Sequence, residues 1–334
     1  MTDSAAAATE AEIQSRLARL TELRQAIAQV VVGQNEVVEQ LLIGLLAGGH
    51  CLLEGVPGLG KTLLVRTLGQ ALALEFRRIQ FTPDLMPSDI IGTEILEEDH
   101  GTGKRVFKFQ RGPVFTNLLL ADELNRTPPK TQAALLEAMQ EHTVSYAGET
   151  HALPEPFFVL ATQNPIEQAG TYPLPEAQLD RFLLHVRIAY PTEAEERTII
   201  DQTTGIRQTA VPRVMDAAEM IALQRLTREV HVSHDLLEWI TRLVRSSRPS
   251  PGAPEAIREW VTWGAGPRAG QSLVLASRAR ALLQGRFSAT RADVQALAGP
   301  VLRHRLLLSF TAEAEQKSPD DVIEALLGAV PFPA

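Results

Sequence analysis

Apolar residues recur along this chain in two periods, and the way those periods alternate predicts the fold class. From Asn35 onward, Val37, Val38, Leu41, Leu42 and Leu45 fall at helical spacing. Asn35 is placed to cap that helix and Gly48-Gly49 to stop it. An earlier helix is predicted over Glu12 to Val30, behind an Ala-rich stretch at residues 1 to 10 that reads as a frayed tail. Short apolar runs then predict strands over Cys51 to Glu54, Phe76 to Phe81, Leu118 to Asp122, Phe157 to Ala161 and Phe182 to Ile188. Helical stretches, Lys61 to Ala73 and Pro129 to Gln140, lie between them. Strands with apolar residues on both faces, separated by helices, predict an α/β core with a parallel sheet covered on both sides.

Two segments break this rhythm. Residues 84–115 contain Glu94-Ile95-Leu96, a Gly-rich turn at His100 to Gly103, and Val106-Phe107-Lys108-Phe109, which together read as an inserted hairpin. Residues 143–153 read as a second hairpin, turning at Ala147-Gly148-Glu149. After Tyr190-Pro191 the pattern becomes helical. Helices are expected over Thr192 to Asp201, Asp216 to Arg228, His234 to Ser247, Pro267 to Gln284, Thr290 to Leu308 and Ser318 to Leu327, with a loop at Pro249 to Gly266. The expected division is an α/β core over 1–190 and a helical domain over 191–334.

Composition narrows the setting. The 334 residues are 45% hydrophobic, enough for a sizeable core, and the net charge is −8. An acidic chain whose only lysines are Lys61, Lys104, Lys108, Lys130 and Lys317 does not suit a protein that coats nucleic acid. The single cysteine, Cys51, lies in an apolar run and reads as a buried structural thiol. The N-terminal stretch lacks the basic and apolar segments of a secretory signal, and no apolar run is long enough to span a bilayer. A cytoplasmic location is therefore expected. Histidines such as His231 and His234 lack metal-ligand clustering.

The chemistry concentrates at Gly55-Val56-Pro57-Gly58-Leu59-Gly60-Lys61-Thr62, which fits G-x-x-x-x-G-K-[ST] between a predicted strand and a predicted helix. Glycines let successive N–H groups turn inward around a phosphate, and the helix N-terminus adds positive partial charge. Lys61 is expected on the β- and γ-phosphates of ATP or ADP and Thr62 on Mg²⁺, with Gly55, Pro57, Gly58, Leu59, Gly60 and Leu63 completing the binding stretch. The apolar run Leu118 to Ala121 ends in Asp122 and Glu123, at the strand end where open α/β sheets bind ligands. Asp122 is expected to hold the Mg²⁺ and Glu123 to polarise the attacking water. Asn164, at the end of the next strand, is placed to orient that water or to contact the γ-phosphate, although an Asn-Pro pair also forms a simple turn. Spacing assigns no role to Arg181, which an ion pair with a neighbouring acid would equally explain. Arg268, opening a helix of the second domain, would either reach a γ-phosphate or stand in solvent.

Several segments in order then carry a resemblance. They are Gly112-Pro113-Val114-Phe115, Leu120-Ala121-Asp122-Glu123-Leu124-Asn125-Arg126, Pro128-Pro129-Lys130-Thr131-Gln132, Ala161-Thr162-Gln163-Asn164-Pro165, and the run from Gly170 to Phe182. The chain resembles the MoxR family of AAA+ ATPases over nearly its whole length. The resemblance implies an AAA+ P-loop core with a parallel sheet between helices, followed by an all-helical lid. It makes Asn164 the first sensor, Arg181 an arginine finger completing a neighbour's site, and Arg268 the second sensor. It places Val31 and Val32 near the adenine, allows Arg126 a role across the subunit interface, and makes the hairpins clade-specific inserts. Thr127 stands where relatives more often have Ala, and Gly266-Pro267-Arg268 where Ser-Pro-Arg is common; neither departure removes a catalytic group.

An arginine supplied by a neighbour contributes roughly 10³–10⁵ in rate in P-loop enzymes, so a homo-oligomeric ring, a hexamer, is expected. The leading function is ATP-driven, chaperone-like remodelling, maturation or metal insertion of a partner complex, with a von Willebrand A domain protein as partner. One alternative is a nucleic-acid-dependent motor, with Lys104, Arg105, Lys108 and Arg111 interleaved with Phe107 and Phe109 on the first hairpin. A solvated hairpin with its apolar residues packed inward is the preferred account of that stripe, and nucleic acid is not expected as a partner. The other alternative is the ATPase subunit of a metal chelatase.

Overall fold

The computed structural model describes residues 10–56, 58–98, 105–164, 170–204 and 210–333. The expected tail, Pro57 of the phosphate loop, and the turn at His100 to Gly103 with Lys104 lie outside them. Nine strands form the α/β part: β1 (Cys51–Glu54), β2 (Phe76–Gln80), β3 (Gly92–Glu98), β4 (Arg105–Arg111), β5 (Leu118–Asp122), β6 (Thr143–Tyr146), β7 (Glu149–Ala152), β8 (Phe158–Gln163) and β9 (Leu184–Arg187). Five of them make a wholly parallel sheet in the order β2-β5-β8-β1-β9.

The run Leu118 to Ala121 is fully buried, and its residues divide between two cores by strand alternation. Leu118 and Leu120 join Leu53 and Leu160 beneath the helices Asn35–Ala47 and Lys61–Ala71. Leu119 and Ala121 join Leu52, Val159 and the helix Pro129–Glu141 on the other face. This two-sided burial is why the strands read as continuous apolar runs.

Asn35 does not cap the helix it opens. Gln34 holds the cap position without a side-chain bond, and Asn35 is the first helical residue. Gly48 does end that helix, in the left-handed conformation (φ 69°), its N–H directed to the carbonyls of Gly44 and Leu45. Both hairpins form. β6 and β7 turn through Ala147 and Gly148, both at positive φ, as a tight two-residue connection requires. β3 and β4 pair from Gly92↔Arg111 to Glu98↔Arg105. The two hairpins meet where Phe109 stacks on His151, with ring centroids 4.4 Å apart and planes 7° apart, beside Tyr146 and Phe115. The expected inward packing thus holds for Phe109 but not for Phe107, which is exposed. Lys108 of the basic stripe is paired with Glu97 at 2.9 Å.

Later helices begin at side-chain caps: Asp216 before Ala217–Glu229, Ser233 before His234–Ser246, and Ser318 before Pro319–Ala329. Two expectations fail in this region. The segment expected as a loop at Pro249 to Gly266 contains the helix Glu255–Trp260 and the strand β10 (Val261–Trp263). The helix expected to reach Leu308 stops at Leu302, gives a 3₁₀ turn at Arg303–Arg305, and continues as β11 (Leu307–Leu308), antiparallel to β10. Tertiary bonds explain the break. Arg303 donates to the His185 carbonyl (3.0 Å), and Arg305 turns inward to Asp180 (2.7 Å), so the chain leaves helical geometry to reach both. Helices Ala217–Glu229 and Pro267–Leu283 pack on Asn35–Ala47 within one continuous apolar core, and Gln224 donates to the Leu45 carbonyl at 2.7 Å. No helix among the described residues is long and apolar enough to cross a membrane.

Candidate functional site

The site assembles at the carboxyl ends of β1, β5 and β8. Gly55 follows β1, and a Cβ there would lie 1.9 Å from the Ile188 side chain, so only glycine lets the loop leave the sheet at this point. Gly58 and Gly60 both have positive φ, and Gly60 leads directly into the helix that starts at Lys61. The Lys61 ammonium donates to the Gly55 carbonyl. Burial pulls its pKa down, while Asp122, Glu123 and Glu54 draw it back up.

Strand register places the remaining groups beside this loop. β1 pairs with β8 at Glu54↔Gln163, which sets Asn164 level with Gly55. β5 pairs with β8 at Ala121↔Ala161, so Asp122 and Glu123 emerge next to Thr162. Thr162, which the sequence reading did not single out, joins the two acids. Its hydroxyl donates to Asp122 Oδ1 (2.7 Å) and accepts from the Glu123 backbone N–H (2.8 Å). Glu123 itself sits in the left-handed region (φ 58°, ψ 47°), a sparsely populated conformation for a non-glycine residue that collects at functional positions. Its carboxylate accepts from Gln80 (2.8 Å) and pairs with Arg126 (3.1 Å). Asp122 Oδ2 accepts from Arg78, at 2.6 Å and 3.1 Å. Gln80 and Arg78 both come from β2, at alternate positions on the same face of the strand. That period-2 spacing was the only signal in the sequence, and it says nothing about which acid each residue meets.

The donor set fits Mg²⁺. The Asp122 carboxylate and the Thr62 hydroxyl at the helix start are hard oxygen donors, and Arg78 on Asp122 Oδ2 would yield that oxygen to a bound metal. No cluster of three or more His, Cys, Asp or Glu suited to a further metal occurs among the described residues.

Beside the loop lies a cavity of about 450 Å³, a size that accepts a nucleobase. Val31, Val32, Leu59, Gly60 and Leu63 form one wall. The lining also includes Tyr190, Ile199, Ile200 and Thr203, from the helix Glu193–Thr204 and the turn before it, which were not among the expected site residues.

Arg181 and Arg268 are together but border no part of that cavity. With Met139 and Gln140 they line a separate depression. Arg268 pairs with Asp180 at 3.4 Å. The Arg181 guanidinium has neither a hydrogen bond nor an ion pair among the described residues, so the acid pairing that spacing allowed for is not made. The loop carrying Arg181 is clamped by Arg305, whose side chain is 2% exposed. Its guanidinium donates to the Asp180 carboxylate (2.7 Å), to the Asp180 and Phe182 carbonyls (3.2 and 2.7 Å), to the Ser272 hydroxyl (3.2 Å), and to the carbonyls of Leu183 and Val301. Burial lowers the pKa of this guanidinium, and Asp180 opposes that shift.

Comparison with known proteins identifies the domains that carry this site. Residues 50–184 match the ATPase family associated with various cellular activities (AAA), and residues 255–326 match the AAA lid domain. The chain is 44% identical over 308 residues to Chaperone MoxR1 of Mycobacterium tuberculosis, covering 92% of this chain and 80% of that one. It is 31% identical to Protein MoxR of Paracoccus denitrificans, covering 95% and 97%. A crystal structure from Cytophaga hutchinsonii, assigned as an ATPase, superposes with a TM-score of 0.90 at 39% identity, covering 97% of this chain and 98% of that one.

Proposed function

The chain belongs to the MoxR family of AAA+ ATPases, and on that premise we propose that it is one subunit of a homo-oligomeric ring, a hexamer, in which ATP bound by one subunit is hydrolysed with arginines from the next. The observation that carries this reading is the separation of the two half-sites. Arg181 and Arg268 share a depression that has no lining residue in common with the cavity beside their own phosphate loop, which supports their acting on the γ-phosphate of another copy.

In the proposed mechanism the loop amides and Lys61 take the β- and γ-phosphates, exchanging the Gly55 carbonyl for phosphate oxygens. Thr62 and Asp122 would hold Mg²⁺, which would supply charge neutralisation at the β- and γ-phosphates. Thr162 fixes the Asp122 carboxylate in place. Glu123 polarises the attacking water once its carboxylate leaves Gln80 and Arg126, and Asn164, level with Gly55, orients that water. The neighbour's Arg181 stabilises the charge that develops on the transferring phosphoryl, and Arg268 stands with it.

Residues 1–190 serve as the nucleotide-binding core and 191–334 as the lid. Helix Glu193–Thr204 walls the base cavity, so a lid motion that carries it would be felt at the nucleotide. Similarity to a relative named as a chaperone supports remodelling of a protein partner as the output. A partner with a von Willebrand A domain rests on the family resemblance alone.

The test is Arg181→Ala. Turnover should fall by roughly 10³-fold or more with ADP affinity unchanged. Added to wild type, the variant should suppress activity by more than its share of subunits. Full turnover by Arg181→Ala alone would overturn the shared-site mechanism.

A further inference from the structure

The phosphate loop leaves β1 directly after Glu54, a carboxylate to which the proposed mechanism gives no task. A negative charge at that point opposes the approach of a triphosphate. Glu54 is 29% exposed. The hydrogen bond from His185, and after it the Arg187 guanidinium, hold its carboxyl down at about 2, against the rise that burial alone would give. The side chain is therefore ionised at neutral pH, and its charge is felt at the Lys61 ammonium.

The edge strand β9 supplies what balances that charge. β1 pairs with β9 at Leu52↔His185 and Glu54↔Arg187, while Leu184 and Val186 alternate into the core on the other face. His185 Nε2 lies 3.1 Å and Arg187 Nε 3.3 Å from the same oxygen of Glu54. Of the two, only the guanidinium carries a charge that no working pH removes. Arg187 is held in turn from the helical domain. Its Nη1 donates to Asp320 Oδ2, in the first turn of the helix Pro319–Ala329. Asp320 Oδ1 accepts from Arg303 Nε (3.1 Å), and Arg303 Nη1 reaches back to the His185 carbonyl (3.0 Å). Two carboxylates, Glu54 and Asp320, thus stand against two guanidiniums, Arg187 and Arg303. Arg303 is engaged by Asp320 and the His185 carbonyl, so loss of Arg187 would leave one uncompensated negative charge behind the loop.

We propose that Arg187 is a positioning residue for nucleotide binding: it neutralises Glu54 behind the phosphate loop, and Asp320 holds it there, so the seating of the helix Pro319–Ala329 on β9 sets how well the loop accepts ATP relative to ADP. Arg187 acts through Glu54 and touches no phosphate itself. The proposal rests on the phosphate loop being the nucleotide site, as read above.

Arg187→Gln removes the charge from a side chain that is 44% exposed, so the chain should still fold. Titration calorimetry with Mg²⁺ and either a non-hydrolysable ATP analogue or ADP reads the effect. At low salt the ATP analogue should bind roughly 10-fold more weakly, and ADP should lose less, because ATP brings one more negative charge into the same field. The loss should shrink as salt is added, since exposed charges are screened. Glu54→Gln in the same chain should restore the affinity, because the carboxylate that Arg187 opposes is gone, and Arg187→Lys should keep most of it. Asp320→Asn should shift the preference away from ATP in the same direction by a smaller factor, and an unchanged preference there would overturn the part given to the helical domain. A purely structural loss at β9 would weaken both nucleotides alike, would not respond to salt, and would add to Glu54→Gln rather than be cancelled by it. That pattern, or wild-type affinities in Arg187→Gln, would overturn the proposal. Lys61→Ala separates the two levels of argument. If it abolishes binding while Arg187→Gln binds both nucleotides as wild type does, the counter-charge fails and the phosphate-loop site stands. If Lys61→Ala binds the ATP analogue as tightly as wild type, the phosphate-loop site itself fails.

Discussion

Arg305→Lys tests whether the loop that carries Arg181 is positioned from the helical side of the molecule. The guanidinium is 2% exposed and binds one carboxylate, one hydroxyl and four backbone carbonyls around Asp180–Leu183 and Val301. Lysine keeps the charge but offers a single ammonium with three donors, which cannot span groups on both sides of a planar fork. Two or three of these bonds would be lost, at about 0.5–1.5 kcal/mol each, so the variant should be roughly 2 kcal/mol less stable. Arg305→Leu removes all of these bonds but leaves an Asp180 carboxylate that is 31% exposed and still faces Arg268, so it should cost about 3 kcal/mol. Urea unfolding would read the first figure as a lower midpoint at unchanged slope. The functional readout is a split. ADP affinity of the variant's own cavity should hold, because Arg305 does not border it, while turnover falls at least ~10-fold as the finger loop loosens. A lysine variant with wild-type turnover and a stability loss under about 0.5 kcal/mol would refute the clamp, since surface substitutions stay within that range.

Glu123→Gln should retain ATP binding and lose hydrolysis by roughly 10²-fold or more, the usual contribution of a general base. Equilibrium binding of labelled ATP beside single-turnover release of phosphate checks both halves, and turnover within a few-fold of wild type would remove Glu123 from the chemistry. His50 gives a pH dependence. It is buried between the Met139 carbonyl (2.9 Å) and the Val159 N–H (3.1 Å), and burial lowers its pKa to about 4, outweighing the Met139 bond that raises it, with His142 lowering it further. The depressed value means the unfolded chain takes up the proton first. This contribution is therefore complete above pH ~6.5 and drains away as pH falls from there to about 4, on the order of 3 kcal/mol in all. Denaturant unfolding of wild type and His50→Gln across that window should show a steeper loss in wild type, and parallel curves would exclude His50 as the cause.

The sheet was legible because burial on both faces forces continuous apolar runs, and Leu118 to Ala121 could be nothing else. The phosphate loop was legible because its glycines are needed for backbone conformation, as the Gly55–Ile188 approach and the positive φ of Gly58 and Gly60 show. The later helices were found wherever the starting signal was local, as at Asp216 and Ser318. Periodicity failed where distant partners decide. The helix after Thr290 carries apolar residues far enough to read as continuing, but Arg303 and Arg305 have bonds to make with His185 and Asp180 that no local pattern records. The same holds at the site. Thr162, Gln80 and Arg78 meet Asp122 and Glu123 across strands, and the helix Glu193–Thr204 becomes a cavity wall only after the chain has folded back. Asn35 was misplaced by one residue, an ordinary uncertainty at a helix end whose cap makes no side-chain bond.

The stacked pair Phe109–His151 has a mechanical corollary. β4 runs on toward β5, which ends at Asp122, while β7 leads into β8, which ends beside Asn164. Two levers hinged at separate points of the nucleotide pocket are thereby pinned to each other partway along. A displacement of either strand end would reach the same pair of hairpins, on the first of which Phe107 and Leu96 are exposed.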